Sequence, residues 1–479
     1  MTKKVSQKFA RLIIPLVILI EFFNLSDANG QIANRAYSMF GLGQRIRTEN
    51  IRELGMGGAG ISHHYLELGV PNNPSLIAYN KLDFVMSFKV RAEVVRSSSV
   101  NLNFATKSST QLNYRHLDIN LTFPLGNKWN IALGTRPISA INYHLNQEDR
   151  ISNDITLSTE NWGRGALNSV FVATSFVLPE IRIKSAGKTG VSSNNIVLSS
   201  VGVEYNYHYG LVYQSRELQY SFDSPPQKVY NYIIEQDTKI RKAFDEYHDI
   251  LGGLKVGFNS RYFHSYGSFQ VGLVYEPRAD FDLINKKGNF TDEIIHGIAP
   301  GEQIKSILLN SFSERIISSN LSTTFSPHRL ISAVSLNLKD LSYIPDLTIG
   351  LSWEKEYWSG FQSLNNNQIV SYSNSSTYGL GLECTLTNWI IVRGGYRNIK
   401  NPFLLRVEGA NFIQPNTSEG TIGFSLKLFK RFLFSAAMTM STTNTISYGV
   451  VDNENATRYV IGLNYLSKWL GKRKIKYDN

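Results

Sequence analysis

Alternation with a period of two dominates the chain from about residue 82 to residue 466. In residues 117–123, Leu117, Ile119, Leu121 and Phe123 share one face of an extended chain, and Asp118, Asn120 and Thr122 share the other. Phe269, Val271, Leu273 and Tyr275 oppose Gln270, Gly272, Val274 and Glu276. Leu347, Ile349, Leu351 and Trp353 oppose Thr348, Gly350, Ser352 and Glu354. Ile422, Phe424, Leu426 and Leu428, then Tyr459, Ile461, Leu463 and Tyr465, continue the pattern. Each segment reads as a strand with one apolar face and one small, polar face, and about fourteen such strands can be drawn.

Periodicity alone fits two architectures. A soluble sandwich turns the apolar face inward, whereas a membrane barrel turns it out to lipid and keeps small and polar residues in its lumen. Three features favour the all-β transmembrane antiparallel barrel. The alternation persists over some 385 residues with no helical domain inside it. Aromatics stand near strand ends, at Trp129, Trp353, Tyr396 and Tyr465. The segments run roughly 9–14 residues, enough to cross a bilayer at a tilt.

Two stretches break the pattern. Residues 229–251 place Ile233, Ile240, Phe244, Tyr247 and Leu251 at helical spacing, and residues 300–313 put Ile304, Ile307 and Leu308 on one face. Both are predicted to be helical insertions in loops, either as caps over the barrel mouth or as a docking surface.

The N-terminus carries export features. Lys3, Lys4, Lys8 and Arg11 precede an apolar run at 12–20, and Ser26-Asp27-Ala28 offers a cut after Ala28. The run is shorter than the roughly 20 residues a spanning helix needs. Residues 1–28 are therefore expected to be a signal peptide. Its removal lowers the formal charge from +11 by two. The remaining basic residues are scattered, apart from a tail over 467–479, so nucleic acid is not expected as a partner. Anionic lipid or lipopolysaccharide of a bacterial outer membrane is. A single cysteine, Cys384, excludes an internal disulfide framework.

Enzyme chemistry is sparse. His63-His64 has no acidic or cysteine partner at ligand spacing, so no metal or cofactor is expected. Glu276, Glu354 and Glu383 fall on the polar strand faces and read as lumen residues, not a catalytic pair. Gly55, Gly57 and Gly60 have dinucleotide-fingerprint spacing, but Arg45–Leu54 is a poor buried strand, and Gly69, Pro71 and Pro74 stop any following helix. A compact glycine segment passing through a crowded space suits them better.

With a barrel in view, Ala36–Gln44 (AYSMFGLGQ), Arg52–Ser62 (RELGMGGAGIS) and Val70–Tyr79 (VPNNPSLIAY) together resemble the N-terminus of the FadL family of outer-membrane transport proteins and its PorV-like Bacteroidetes relatives. Asn73-Pro74-Ser75 stands where that family has Asn-Pro-Ala. The chain departs from the family in running past Tyr465 to Asn479. The resemblance implies a barrel of about fourteen strands over 81–466, with residues 29–80 folded into the lumen as a hatch. Gly55, Gly57, Gly58, Gly60, Asn72, Asn73 and Pro74 become the hatch and gating positions. It implies passive uptake of a hydrophobic small molecule. The alternative is a PorV-like accessory barrel, or plug partner, of a type IX secretion translocon. A barrel enzyme is the least supported reading.

Overall fold

A computed structural model describes residues 44–46, 49–62, 70–80 and 84–467, the last apart from loop segments at 102–105, 126–127, 153–154, 187–191, 223–227, 230–231, 234–235, 250–252, 265–266, 291–292, 296–306, 310–315, 342–343, 360–369, 388, 407–411, 429–430 and 448–449. Residues 1–28, expected to be a signal peptide, His63-His64 and residues 468–479 of the basic tail lie outside the described residues.

The alternating segments form a closed 14-strand antiparallel barrel. After a two-residue strand β1 (Gln44–Arg45), the wall begins with β2 (Phe84–Asn101), β3 (Thr106–Pro124), β4 (Trp129–Ser152) and β5 (Ile155–Val177). The long strand Ser192–Phe222 follows. The next three wall strands are each interrupted once: Gln236–Asp249 continues as Gly253–His264, Gly267–Glu276 as Ala279–Phe290, and Ile316–Ser326 as His328–Leu341. Pro277 and Pro327 sit in two of the breaks, where a residue without an N–H ends the ladder. Strands Ile344–Tyr357, Ser375–Thr387, Ile390–Lys400, Asn416–Leu428, Phe432–Ser447 and Val450–Ser467 complete the wall. The last pairs with β2 from Phe84↔Ser467 to Asn101↔Val450 and closes it.

Burial inverts that of a soluble protein. Val172, Leu273, Leu351, Leu382, Ile422 and Ile461 are exposed on the outer face, while Glu204, Lys255, Gln270, Arg393 and Arg397 are buried within. Only lipid makes such an exterior favourable, so the membrane barrel is the architecture adopted. Aromatics band it at two levels. Trp129 and Trp389 lie at the end with short turns, and Trp129 meets Phe176 edge-on at 5.8 Å. Tyr207, Tyr275, Tyr378, Tyr396 and Tyr459 form the other band. Short turns mark the periplasmic end of such barrels and longer loops the outer end.

The helical expectation for 229–251 gives way to strand over Gln236–Asp249. Gln236–Asp249 is a strand, paired with Ser192–Phe222 on one edge and Ala279–Phe290 on the other. Apolar residues three and four apart fit a helix in isolation, but strand edges flank the segment on both sides over Ile240–His248, and this tertiary pairing overrides the local period. In 300–313, only Ile307–Leu309 lies among the described residues, and it pairs as strand with Glu293–Ile295. Along Ile155–Val177 and Ser192–Phe222 the paired wall extends well past the aromatic band, so a curved sheet projects from the outer end on one side.

Leu382 lies on the outer face midway between the two bands. Leu382→Arg is expected to cost about 2–4 kcal/mol of folding free energy in lipid, measured by denaturant titration in vesicles.

Candidate functional site

The segment from Glu49 to Asn80 packs against strands on every side of the barrel. Its short helix Ile51–Gly55 touches Ile390–Lys400, Asn416–Leu428 and Phe432–Ser447. The 3-10 turn Ala59–Ser62 touches Gly267–Glu276, His328–Leu341 and Ile344–Tyr357. A second 3-10 turn, Pro74–Tyr79, touches β4, β5 and Ser192–Phe222. Contacts right round a closed wall place the segment in the lumen.

Local sequence explains its shape. Asn50 caps the helix: its side-chain oxygen accepts from the Glu53 N–H at 2.8 Å, and the Glu53 carboxylate accepts from the Asn50 N–H at 3.0 Å, a capping box. Gly57 follows at φ 61°, and a Cβ there would lie 2.8 Å from the Tyr396 carbonyl and 2.9 Å from that of Leu380. Both conformation and space therefore require glycine at 57. Gly58 has φ 81° and adjoins the Glu49 carboxylate, Gly55 abuts the Gly423 backbone, and Gly60 abuts Glu53. The N–H groups of Gly57 and Gly58 donate to Leu54 and Glu53 carbonyls, so they cannot cradle a pyrophosphate.

Asn73 caps the second 3-10 turn by accepting from the Ser75 N–H at 3.1 Å, and its amide donates to the Phe258 carbonyl at 3.1 Å. Pro74 opens that turn instead of starting a wall strand, a position where its missing N–H costs nothing. Asn72 donates its N–H to Glu53 at 3.1 Å and accepts from Lys255 at 3.4 Å. Of the residues singled out in the sequence, Gly55, Gly57, Gly58, Asn72, Asn73 and Pro74 thus meet the inner wall, while Gly60 packs on Glu53 within the segment.

Sequence reasoning missed the charges that bind this segment. Arg52 makes two bonds to Glu383, at 2.6 and 2.7 Å, and Arg393 shares that carboxylate at 2.6 Å. Arg397 bridges Glu49 at 2.7 Å and Glu419 at 2.9 Å, and Arg458 joins Glu93 at 2.9 Å. Lys89 pairs with Asp118 and donates to the Glu49 carbonyl at 3.1 Å. Arg136 and Lys255 converge on Glu204, and Arg329 pairs with Glu354 at 2.6 Å and Glu276 at 3.6 Å. Each acidic lumen residue named from the sequence thus meets an arginine, which is structural pairing and not a carboxylate dyad. The available signal was parity: these charges occupy inward positions of alternating strands. Among the described residues, no group of histidine, cysteine, aspartate and glutamate could hold a metal.

A second missed feature is a break in the wall. β3 and β4 pair from Pro124↔Asn130 to Ile119↔Thr135, and above that point β4 instead receives β1, with Gln44↔Ala140 and Arg45↔Ser139. Inside the break lies a cavity of about 10 Å³, room for a single water, lined in part by Lys89, Asp118, Asn120, Arg136 and Phe171. Arg136 lies over the Phe171 ring at 4.6 Å.

A family model described as BamG matches residues 8–242, just under half of the chain. No curated protein matches. Solved structures similar to the chain include a Pseudomonas aeruginosa FadL homologue (10% identity, 88% of this chain and 99% of that one, TM-score 0.47). The P. putida toluene transporter TodX (9% identity, 88% and 99%, TM-score 0.49) and the Ralstonia pickettii toluene transporter TbuX (12%, 87% and 98%, 0.46) are also similar.

Burial, with Glu49 adding to it, pushes the Glu53 carboxyl up to about 7, against the pull of the Asn50 and Asn72 N–H groups and Arg52. A raised carboxyl favours the docked segment at low pH, and that support, on the order of 3 kcal/mol, is lost as pH rises from the unfolded value through 7. Amide exchange in 51–62 is expected to quicken between pH 5 and pH 8, and Glu53→Gln to flatten the profile. Arg397→Gln removes the cation that bridges the buried Glu49 and Glu419 carboxylates and is expected to cost roughly 3–5 kcal/mol, read from denaturant unfolding. The barrel is a protein of the bacterial outer membrane.

Proposed function

We propose that the protein is a passive conduit for hydrophobic small molecules, with residues 44–80 as a hatch and the break between β3 and β4 as the lateral way out. The observation that carries this reading is that the one segment filling the lumen also occupies the break. A molecule leaving through the wall enters lipid, so the cargo class is apolar. Hydrophobic cargo is also what the names of TodX and TbuX state for those proteins. In this reading the segment shifts away from the break to let a molecule pass.

A second reading, an accessory barrel docked on a large secretion or assembly protein such as a type IX translocon, is favoured by the sheet projecting from the outer end. In that reading the lumen stays shut and the projecting strands make the contact.

Locking the hatch separates the two. A Cβ at Gly350 would lie 3.2 Å from that of Ala59 and 2.7 Å from the Ala59 carbonyl oxygen, so a disulfide between the two positions forms once the segment moves out slightly to the usual Cβ separation. Ala59→Cys with Gly350→Cys, in a Cys384→Ser background, is expected to lower uptake of a radiolabelled aromatic hydrocarbon at least tenfold, with recovery on reduction. Unchanged uptake in the locked protein removes the conduit. A stoichiometric large protein in a mild-detergent pull-down from outer membranes would establish the accessory reading.

A further inference from the structure

One arginine in the lumen departs from the pairing that holds the others. Arg52, Arg136, Arg329, Arg393, Arg397 and Arg458 each make an ion pair with a carboxylate, and among the described residues Arg261 makes none. Its place in the lumen follows from parity. On Gly253–His264, Leu254 and Val256 are exposed on the outer face, while Lys255 and Asn259 are buried inside. Arg261 shares the side of Lys255 and Asn259 and is half-buried.

Arg261 stands just beneath the N-terminal segment. A Cβ at Gly257 would lie 2.8 Å from Cδ of Pro74, and Asn259 donates to the Ser62 carbonyl at 2.7 Å. Arg261 is the next inward residue, toward the short turn beyond His264, so it faces the periplasmic side of the segment. There the Arg261 Nε donates to Ser268 Oγ at 3.2 Å, and the guanidinium lies 4.3 Å from the centroid of the Phe263 ring. These contacts orient the guanidinium and engage one of its N–H groups, leaving the rest to a ligand. Ser268 is buried, and its hydroxyl accepts the Nε bond with its own proton left to donate.

A charged group drawn partly out of water without a counter-charge is costly, and the arginine fork matches the oxygens of a phosphate or carboxylate. We propose that Arg261 and Ser268 bind an oxyanion, a phosphate or carboxylate group, that enters the lumen from the periplasm. The N-terminal segment packs between the site and the outer end, so the periplasmic mouth is the way in. The site also adjoins the last turn of that segment. Leu198 is the register partner of Arg261, and the Tyr79 hydroxyl donates to the Leu198 carbonyl at 3.2 Å. An anion at Arg261 neutralises the charge beneath Pro74–Tyr79 and holds that turn in place. The site stands whether or not a cargo crosses the barrel.

The test titrates the full-length protein in lipid nanodiscs with inorganic phosphate, and then with acetate, against chloride at matched ionic strength, read by calorimetry. Saturable binding of at least one of the two oxyanions is expected, weakened at least tenfold by Arg261→Gln and less by Ser268→Ala. Arg182→Gln, at an exposed arginine near the periplasmic end, is expected to leave it unchanged. No saturable binding by the wild type, or equal binding by Arg261→Gln, overturns the site. An equal loss in Arg182→Gln overturns it in favour of general attraction between charges. Amide exchange in the wild type gives a measurement that needs no variant. The bound oxyanion is expected to slow exchange over 74–80 and 259–264 relative to chloride, and equal rates in the two salts overturn the proposal.

Discussion

A guanidinium taken out of water needs a carboxylate beside it, and that requirement organises the inside of this barrel. The wall turns its apolar side chains to lipid, so its polar half has nowhere to go but the lumen. There Arg393, Arg397, Arg458 and Arg329 are buried. Each finds an acidic partner, and the N-terminal segment enters the same network through Glu49 and Arg52. Its charges duplicate partners that the wall already has. Arg397 keeps Glu419 without Glu49, and Glu383 keeps Arg393 without Arg52. A segment held in this way docks tightly, while Arg397 and Glu383 each have a wall partner as well.

Steric fit adds the second constraint. The segment touches the wall where both sides lack side chains: Gly55 against Gly423, and Gly57 against Gly395. Small apolar clusters fill the remaining contacts, with Ile51 and Leu54 against Ala437 and Val460, and Ile61 against Val274, Ile331 and Ala333. Backbone-to-backbone approach at these glycines leaves little room for water between segment and wall. The same closeness makes Glu53 difficult to ionise and couples docking to pH.

Much of the fold was legible before any coordinates. The period-two alternation of Leu347 to Trp353 or Tyr459 to Tyr465 reports a strand whose two faces see different solvents, and repeating it about fourteen times leaves few architectures. The stretch around Gln236–Asp249 was not legible, because its apolar spacing satisfies a helix and only the neighbouring edges make it a strand. At the site, the glycines and Asn73-Pro74 announced a segment with unusual backbone demands. The pairing of Arg52 with Glu383, 331 residues away, carries no local signal at all.

By itself the sequence determined that this chain alternates, that each strand has one apolar and one polar face, and that residues 55–60 are rich in glycine. These follow from side-chain period and glycine content, which are local properties. Only the tertiary structure decided that β3 and β4 part above Ile119, that β1 lies in the opening, and which carboxylate answers which arginine. Those depend on how the closed wall brings distant edges and charges together, and nothing in the spacing of residues along a single strand encodes it.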